Sequence, residues 1–188
     1  MPIVRLIATL ATPIVLTDDL HLDGLLAAVH PLCQRHPISR ATPVDDLIRP
    51  PLPIATVGAR GRAVMLGTVA QFPDDARLTT DYATKRRDGA DVEAFARRVS
   101  AKAGPDKDRM IQLPLVVVRE VWWDAVGLRQ PILKLARRIQ SIGAWRGQGY
   151  GRVLSWRADK LDDPARVVLQ RGGRLQRHIP ADWAPDGP

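Results

Sequence analysis

Apolar residues fall on both faces of the chain from its start. Between Ile3 and Val15, Val4, Leu6, Ala8 and Leu10 share one side and Ile3, Ile7 and Ala11 the other, which predicts a strand buried on both faces and central in its sheet. After the turn-like Thr17-Asp18-Asp19, the residues Leu22, Leu25, Leu26, Val29 and Cys33 recur at three- and four-residue spacing. That stripe predicts a helix ending before Pro37. Residues 36–53 are rich in proline and predict irregular chain, and the stretch from Gly61 to Phe72 reads as a strand bounded by Pro73.

No period survives between Asp74 and Met110, where 9 basic and 8 acidic residues mix, and residues 74–110 read as an insertion, helical in part around Asp91–Lys102. From Ile111, β-branched and aromatic residues without a helical stripe predict one or two strands. Trp122 and Trp123, adjacent on a strand, must point to opposite faces, one into the core. Next, Ile132, Leu135, Ala136, Ile139 and Ile142 form a helical stripe, with Lys134, Arg137 and Arg138 together on another face, Pro131 in the first turn and Gly143 as the C-terminal cap. Tyr150 to Ala158 reads as a strand with Trp156 in the core, and Ala165–Pro180 as a hairpin folded at Gly172 and Gly173, with Trp183 packing the tail. The order β-α-β-insertion-β-α-loop-β with a C-terminal β-tail predicts an α+β fold. Its plan is a ferredoxin-like or RRM-like antiparallel sheet with two helices, in a single domain over 1–188.

At 188 residues and 45% hydrophobic the chain is long enough for a real core. Cys33 is the single cysteine, so no disulfide framework exists and a reducing, cytoplasmic setting is expected. No Cys/His spacing fits zinc, and no metal or other cofactor is expected. The apolar N-terminal stretch lacks a basic flank, contains Pro2 and Pro13 and runs into Asp18 and Asp19; it reads as a buried strand, neither signal peptide nor membrane span. Charge sharpens the picture because the net +8 is not spread evenly. Residues 1–128 carry 16 basic against 15 acidic residues, net +1; residues 129–178 carry 12 against 3, net +9; residues 179–188 carry none against 2, net −2. A solubilising surface would also be basic, but positive charge concentrated in one block attracts a polyanion through counterion release, and nucleic acid is the commonest one.

The most distinctive stretch, Ile142–Val153 (IGAWRGQGYGRV), lies in that block. A dinucleotide fingerprint needs a strand before its glycines and a helix after them. Here the helix comes first, so no helix N-terminus faces the loop, and no Gly-Lys-Ser/Thr phosphate loop occurs in the chain. What remains is a helix-to-strand loop with Gly143, Gly147, Gly149 and Gly151 between Arg146 and Arg152. Glycine lets backbone amides approach an anion, guanidinium groups grip phosphate, and Trp145 and Tyr150 are flat rings on which an unpaired base can stack. One glycine would be an ordinary helix cap and turn; four with two arginines point to a ligand.

The apolar first strand, the LDGLLA phrase of the first helix (Leu22–Ala27), the strand ending VWWDAVG, the basic helix, IGAWRGQGYGRVLSW and the terminal RHIPADW (Arg177–Trp183) together resemble the RAMP superfamily of CRISPR-associated proteins. The chain is most similar there to the Cas-five-type small subunit of type IV effector complexes. The resemblance covers both ends of the chain, leaves the middle unmatched, and is most specific at the glycine loop. It implies a non-catalytic subunit that holds the 5′ handle of a guide RNA at one end of a helical ribonucleoprotein filament. It also implies backbone RAMP subunits and a large subunit as partners, with target DNA contact open. Arg146, Gly147, Gln148, Gly149, Tyr150, Gly151 and Arg152 would then lie against RNA backbone, with Trp145 beside them and Lys134, Arg137 and Arg138 leading in. The insertion would be the family's thumb, with Lys85, Arg86 and Arg87 gripping RNA or a neighbouring subunit.

Two rival functions share these features. A metal-independent guide-RNA endoribonuclease would need a general base for the ribose 2′-hydroxyl; His21, His30 and His36 surround the first helix, with Tyr82, Tyr150 and Lys85 available to assist. A basic protein that contacts only other proteins would lack the steep salt dependence that phosphate contacts impose.

Overall fold

The computed structural model describes residues 2–35, 50–58, 63–85, 109–161, 170–171, 174–175 and 177. The first strand, β1 (Ile3–Leu10), is central as its two apolar faces predict. It is flanked on both sides by antiparallel neighbours, β7 (Glu120–Val126) and β8 (Val153–Leu161). Val4, Leu6, Ala8 and Leu10 point to one side, where they meet Leu22 and Leu26 of helix α1 (Leu22–Ala28) and Ile132, Leu133 and Ala136 of helix α3 (Arg129–Ala136) in one buried cluster. Burying each of the Val, Leu and Ile side chains stabilises the fold by about 1.5–3 kcal/mol. Trp123 is fully buried there and tilts against Trp156, ring centroids 5.8 Å apart. Their indole N–H groups donate to the carbonyls of Leu20 (2.8 Å) and Ile139 (2.9 Å), so neither ring strands a polar atom in the core.

Beyond β7, residues 66–71 lie along its other edge. Thr68 N–H donates to the Asp124 carbonyl (2.9 Å), and Gln71 and Trp122 exchange backbone bonds at 2.8 and 3.1 Å. The bridges Gly67↔Ala125 and Gln71↔Trp122 place four steps on one chain against three on the other. The extra residue makes a bulge, and Val69 turns away to bridge His21. The strand predicted over Gly61–Phe72 is therefore broken. Its regular part is only β4 (Val64–Met65), paired with β3 (Thr56–Val57), and the rest follows β7 irregularly.

A second sheet has the order β2-β6-β5: β2 (Ile14–Val15), β6 (Arg109–Val117) and β5 (Arg77–Lys85). β5 and β6 form a nine-pair hairpin from Arg77↔Val117 to Lys85↔Arg109. The insertion thus begins as a strand, and the helical segment expected around Asp91–Lys102 lies outside the described residues. The predicted C-terminal hairpin is present as β9 (Gln170–Arg171) against β10 (Arg174–Leu175); Trp183 lies outside the described residues. The architecture is α+β with antiparallel sheets and, among the described residues, three α-helices, the third being α2 (Pro31–Arg35). Among the described residues no helix is long and apolar enough to cross a membrane.

Three sequence expectations are corrected. The long first strand divides, because Thr12 and Pro13 carry the chain from β1 to β2 in the other sheet. The first helical stripe divides at Pro31, which has no N–H to continue α1 and instead opens α2. His30 precedes it, its Nδ1 accepting the Leu32 N–H at 3.3 Å. Finally, α3 ends at Ala136 in a tight turn, Ile139 N–H to Ala136 carbonyl, 2.8 Å. Ile139 and Ile142 are buried by extended chain, not by helix, and Gly143 is not the cap.

Candidate functional site

Residues 141–152 join α3 to β8 and close on themselves. Ser141 bridges Arg152, Ile142 N–H donates to the Gly151 carbonyl (2.9 Å), and Val153 N–H reaches the Gln140 carbonyl (2.8 Å). Between these ends the chain passes through Trp145 in the left-handed region (φ 55°), a 3-10 turn over Arg146–Gln148, and Gly149 (φ 91°). The junction between β1 and β2 fastens the loop from below. Thr12 Oγ1 donates to the Gly149 carbonyl (2.8 Å) and accepts the Arg152 N–H (2.9 Å), while Gly151 N–H donates to the Pro13 carbonyl (2.7 Å) and Ala144 N–H to that of Val15 (2.9 Å).

The four glycines divide into three kinds. Gly143 (φ 82°) lies so close to β2 that a Cβ would stand 2.5 Å from Ile14 Cγ2 and 2.6 Å from the Val15 oxygen, and one on Gly151 (φ 63°) would fall within the Ile142 carbonyl. These two are required by the protein's own packing. Gly149 needs its positive φ but has open space around it. Gly147 has neither a positive φ nor any atom within 4 Å of an added Cβ, so nothing among the described residues calls for glycine there.

Around Gly147 the surface is open and cationic. Arg146, Gly147, Gln148, Gly149 and Arg152 are exposed. A cleft of about 370 Å³ runs from the end of α1 to the loop, with Val29, Arg138, Gln140, Ser141, Arg146 and Gly147 in its walls. Arg138 crosses it, its guanidinium donating to the Val29 carbonyl at 3.5 Å. Among the described residues the ion pairs join Arg5 to Asp124, Arg157 to Glu120 and Asp159, and Arg177 to Asp23; none takes Lys134, Arg137, Arg138, Arg146 or Arg152. The predicted cations Arg138 and Arg146 thus meet in one cleft. Lys134 and Arg137 are exposed on and just after α3, but do not line it. Lys85 ends β5, and Arg86 and Arg87 lie outside the described residues.

The two aromatic rings of the loop have a different setting from the one expected of stacking platforms. Trp145 and Tyr150 are half-buried against Val15, Leu113 and Leu115, beside Ala83 and Ile111 of the hairpin. The Tyr150 hydroxyl donates to Asp81 Oδ2 at 2.6 Å, and Asp81 Oδ1 accepts the Tyr82 N–H at 2.7 Å. The phenol first, and that N–H second, hold the Asp81 carboxyl below its ordinary value; Asp81 in turn holds the Tyr150 phenol above its own.

The sheet face turned away from the helices is occupied by its own charges. Arg5 grips Asp124 through two bonds (2.7 and 2.8 Å) and lies 5.4 Å over the Trp122 ring. The Asp124 bond raises the Arg5 pKa above its ordinary value. On the same face Arg157 bonds Glu120 at 3.0 and 3.1 Å. These cations are neutralised where they stand. Among the described residues no group of three or more His, Cys, Asp or Glu side chains could hold a metal ion. Sequence reasoning did not find Thr12, Gln140, Ser141 or Asp81 as parts of the site, since each joins it through the fold and none stands in a motif. Comparison with protein-family models and with curated proteins finds no match for this chain.

Proposed function

We propose that this protein is a non-catalytic RNA-binding subunit of a type IV CRISPR ribonucleoprotein complex, working in the cytoplasm and holding the 5′ handle of the guide RNA at one end of the filament. The observation that carries the RNA-binding reading is Gly147: an exposed position with open space where a Cβ would stand, left bare beside Arg146, which joins no ion pair among the described residues, and in one cleft with Arg138. A ribose-phosphate backbone needs such a surface, where amides come close and guanidinium groups flank them. The family reading rests on the motif resemblance of the two chain ends. It is supported by the run of four extended segments, 66–71, β7, β1 and β8, each antiparallel to the next, with α1 and α3 against one face. That order is the one a ferredoxin-like sheet requires. The β5–β6 hairpin would serve as the thumb, and backbone and large subunits of the complex as protein partners.

In this reading RNA lies along the loop side of the fold and not across the open sheet face, whose arginines are already paired. The test is binding of single-stranded repeat RNA, with EDTA present, over a range of salt. Three to four phosphate contacts predict a log–log slope of about −2 to −3, and each of Arg138→Ala, Arg146→Ala and Arg152→Ala removes about 0.7 of it while the RNA stays intact. A flat salt dependence overturns RNA binding at this surface, and cleavage in EDTA overturns the non-catalytic role.

A further inference from the structure

We propose that Tyr150 and Asp81 fasten the glycine loop to the β5–β6 hairpin, so that loop and hairpin carry RNA as one body, with Tyr150 a positioning residue and not a platform for a base. What the joined unit carries rests on the RNA reading above; the fastening stands on contacts within the protein.

Three independent contacts converge on the same junction. The Tyr150 hydroxyl meets a carboxylate that is itself oriented, since Asp81 is held at its other oxygen by the Tyr82 N–H. The bond spans 69 positions of sequence and ties the middle of β5, opposite Leu113, to the arm of the loop that leads into β8. Beneath it, the Trp145 and Tyr150 rings pack on Leu113 and Leu115 of β6 and on Val15. A backbone route runs in parallel: Ala144 N–H donates to the Val15 carbonyl, and Val15 pairs with Leu115.

The backbone of Trp145 points the same way. It is the one non-glycine among the described residues with a positive φ, a conformation that disfavours a bulky side chain and persists where surrounding contacts enforce it. Here the enforcing contact is the ring's seat against β2 and β6. The hairpin needs this junction, because β2 gives it only two paired residues, Ile14↔Val116 and Val15↔Leu115, and β5 is the edge strand of its sheet. The loop needs it too. Gly147 and Gly149 leave its tip short of side chains, so holding the loop in shape before RNA arrives lowers the ordering cost of binding.

Hydrogen–deuterium exchange on the full chain, with and without single-stranded repeat RNA, tests this. In the free protein, Tyr150→Phe keeps the ring but loses the bond; exchange should rise in residues 78–84 as well as in the loop, with unfolding still a single transition. Asp81→Ala should do the same, Asp81→Asn, which keeps an acceptor, should stay near wild type, and the double variant should be no worse than either single one. With RNA, wild-type protection should extend from the loop into β5. In Tyr150→Phe it should stop at the loop, with affinity falling about three- to tenfold. Unchanged exchange over 78–84 in free Tyr150→Phe, or additive effects in the double variant, overturns the fastening. Should wild-type protein bind no RNA while Tyr150→Phe still loosens the free hairpin, the RNA reading falls and the fastening stands.

Discussion

The carbonyl group of Ile142 occupies the place where a side chain on Gly151 would begin, and Gly151 holds a φ of 63°. Both facts forbid a side chain at 151, whereas among the described residues nothing stands within 4 Å of the same place on Gly147. Gly151→Ala should therefore lower the unfolding free energy by about 3 kcal/mol, as backbone strain and overlap add. Gly147→Ala should change it by no more than about 0.5 kcal/mol. Urea denaturation of the two variants beside wild type checks the contrast.

Arg5 and Asp124 make the opposite kind of contact, a charge pair that folding has sealed on one side. The Asp124 side chain is 4% exposed and that of Arg5 27%. Arg5→Ala leaves a carboxylate with little access to water and should cost about 3 kcal/mol. Asp124→Asn leaves a guanidinium that still reaches solvent and should cost about 1 kcal/mol. Neither change should alter RNA affinity by more than about twofold, because Arg5 is already engaged by Asp124 and neither residue belongs to the loop or its cleft. Unfolding and RNA-binding measurements on the same samples check both statements.

The Tyr150–Asp81 bond gives a defined pH window. Asp81's carboxyl is held low, so the bond is present above the ordinary carboxylate range, near pH 4, and is lost as pH falls through the lowered value. Tyr150 is held high, so the bond is present below the ordinary phenol range, near pH 10, and is lost as pH rises through the raised value. The chain has 2 tyrosines, so Tyr82→Phe isolates the phenol of interest. Its absorbance titration should lie above the ordinary tyrosine range, and adding Asp81→Asn should bring it down.

What could be read in advance follows from where burial is one-sided. β1 and the Trp122/Trp123 pair were legible because their alternation matches the two faces they meet: Trp123 sealed among helices, Trp122 under Arg5. The strand β5 was not. It is an edge strand, Leu78 is 85% exposed, and Arg77 through Thr80 all face solvent, so no apolar period was left to detect. The stripe after Pro131 predicts helix through Ile142, and Ile139 and Ile142 are indeed buried, but by chain beyond the helix that happens to keep the same spacing. At the loop, composition located the bare cationic surface. It could not separate Gly151, needed for packing, from Gly147, since that distinction depends on the Ile142 carbonyl and on φ. Nor could it find Asp81, which reaches Tyr150 from 69 positions away.

The RNA affinity of Gly147→Leu, measured on protein whose unfolding midpoint is shown to match wild type, tests the central claim most directly. If the bare position exists for a ribose-phosphate backbone, the side chain leaves the fold intact and weakens binding of single-stranded repeat RNA at least tenfold. Binding as tight as wild type would mean that no RNA backbone lies over Gly147, and would contradict the account.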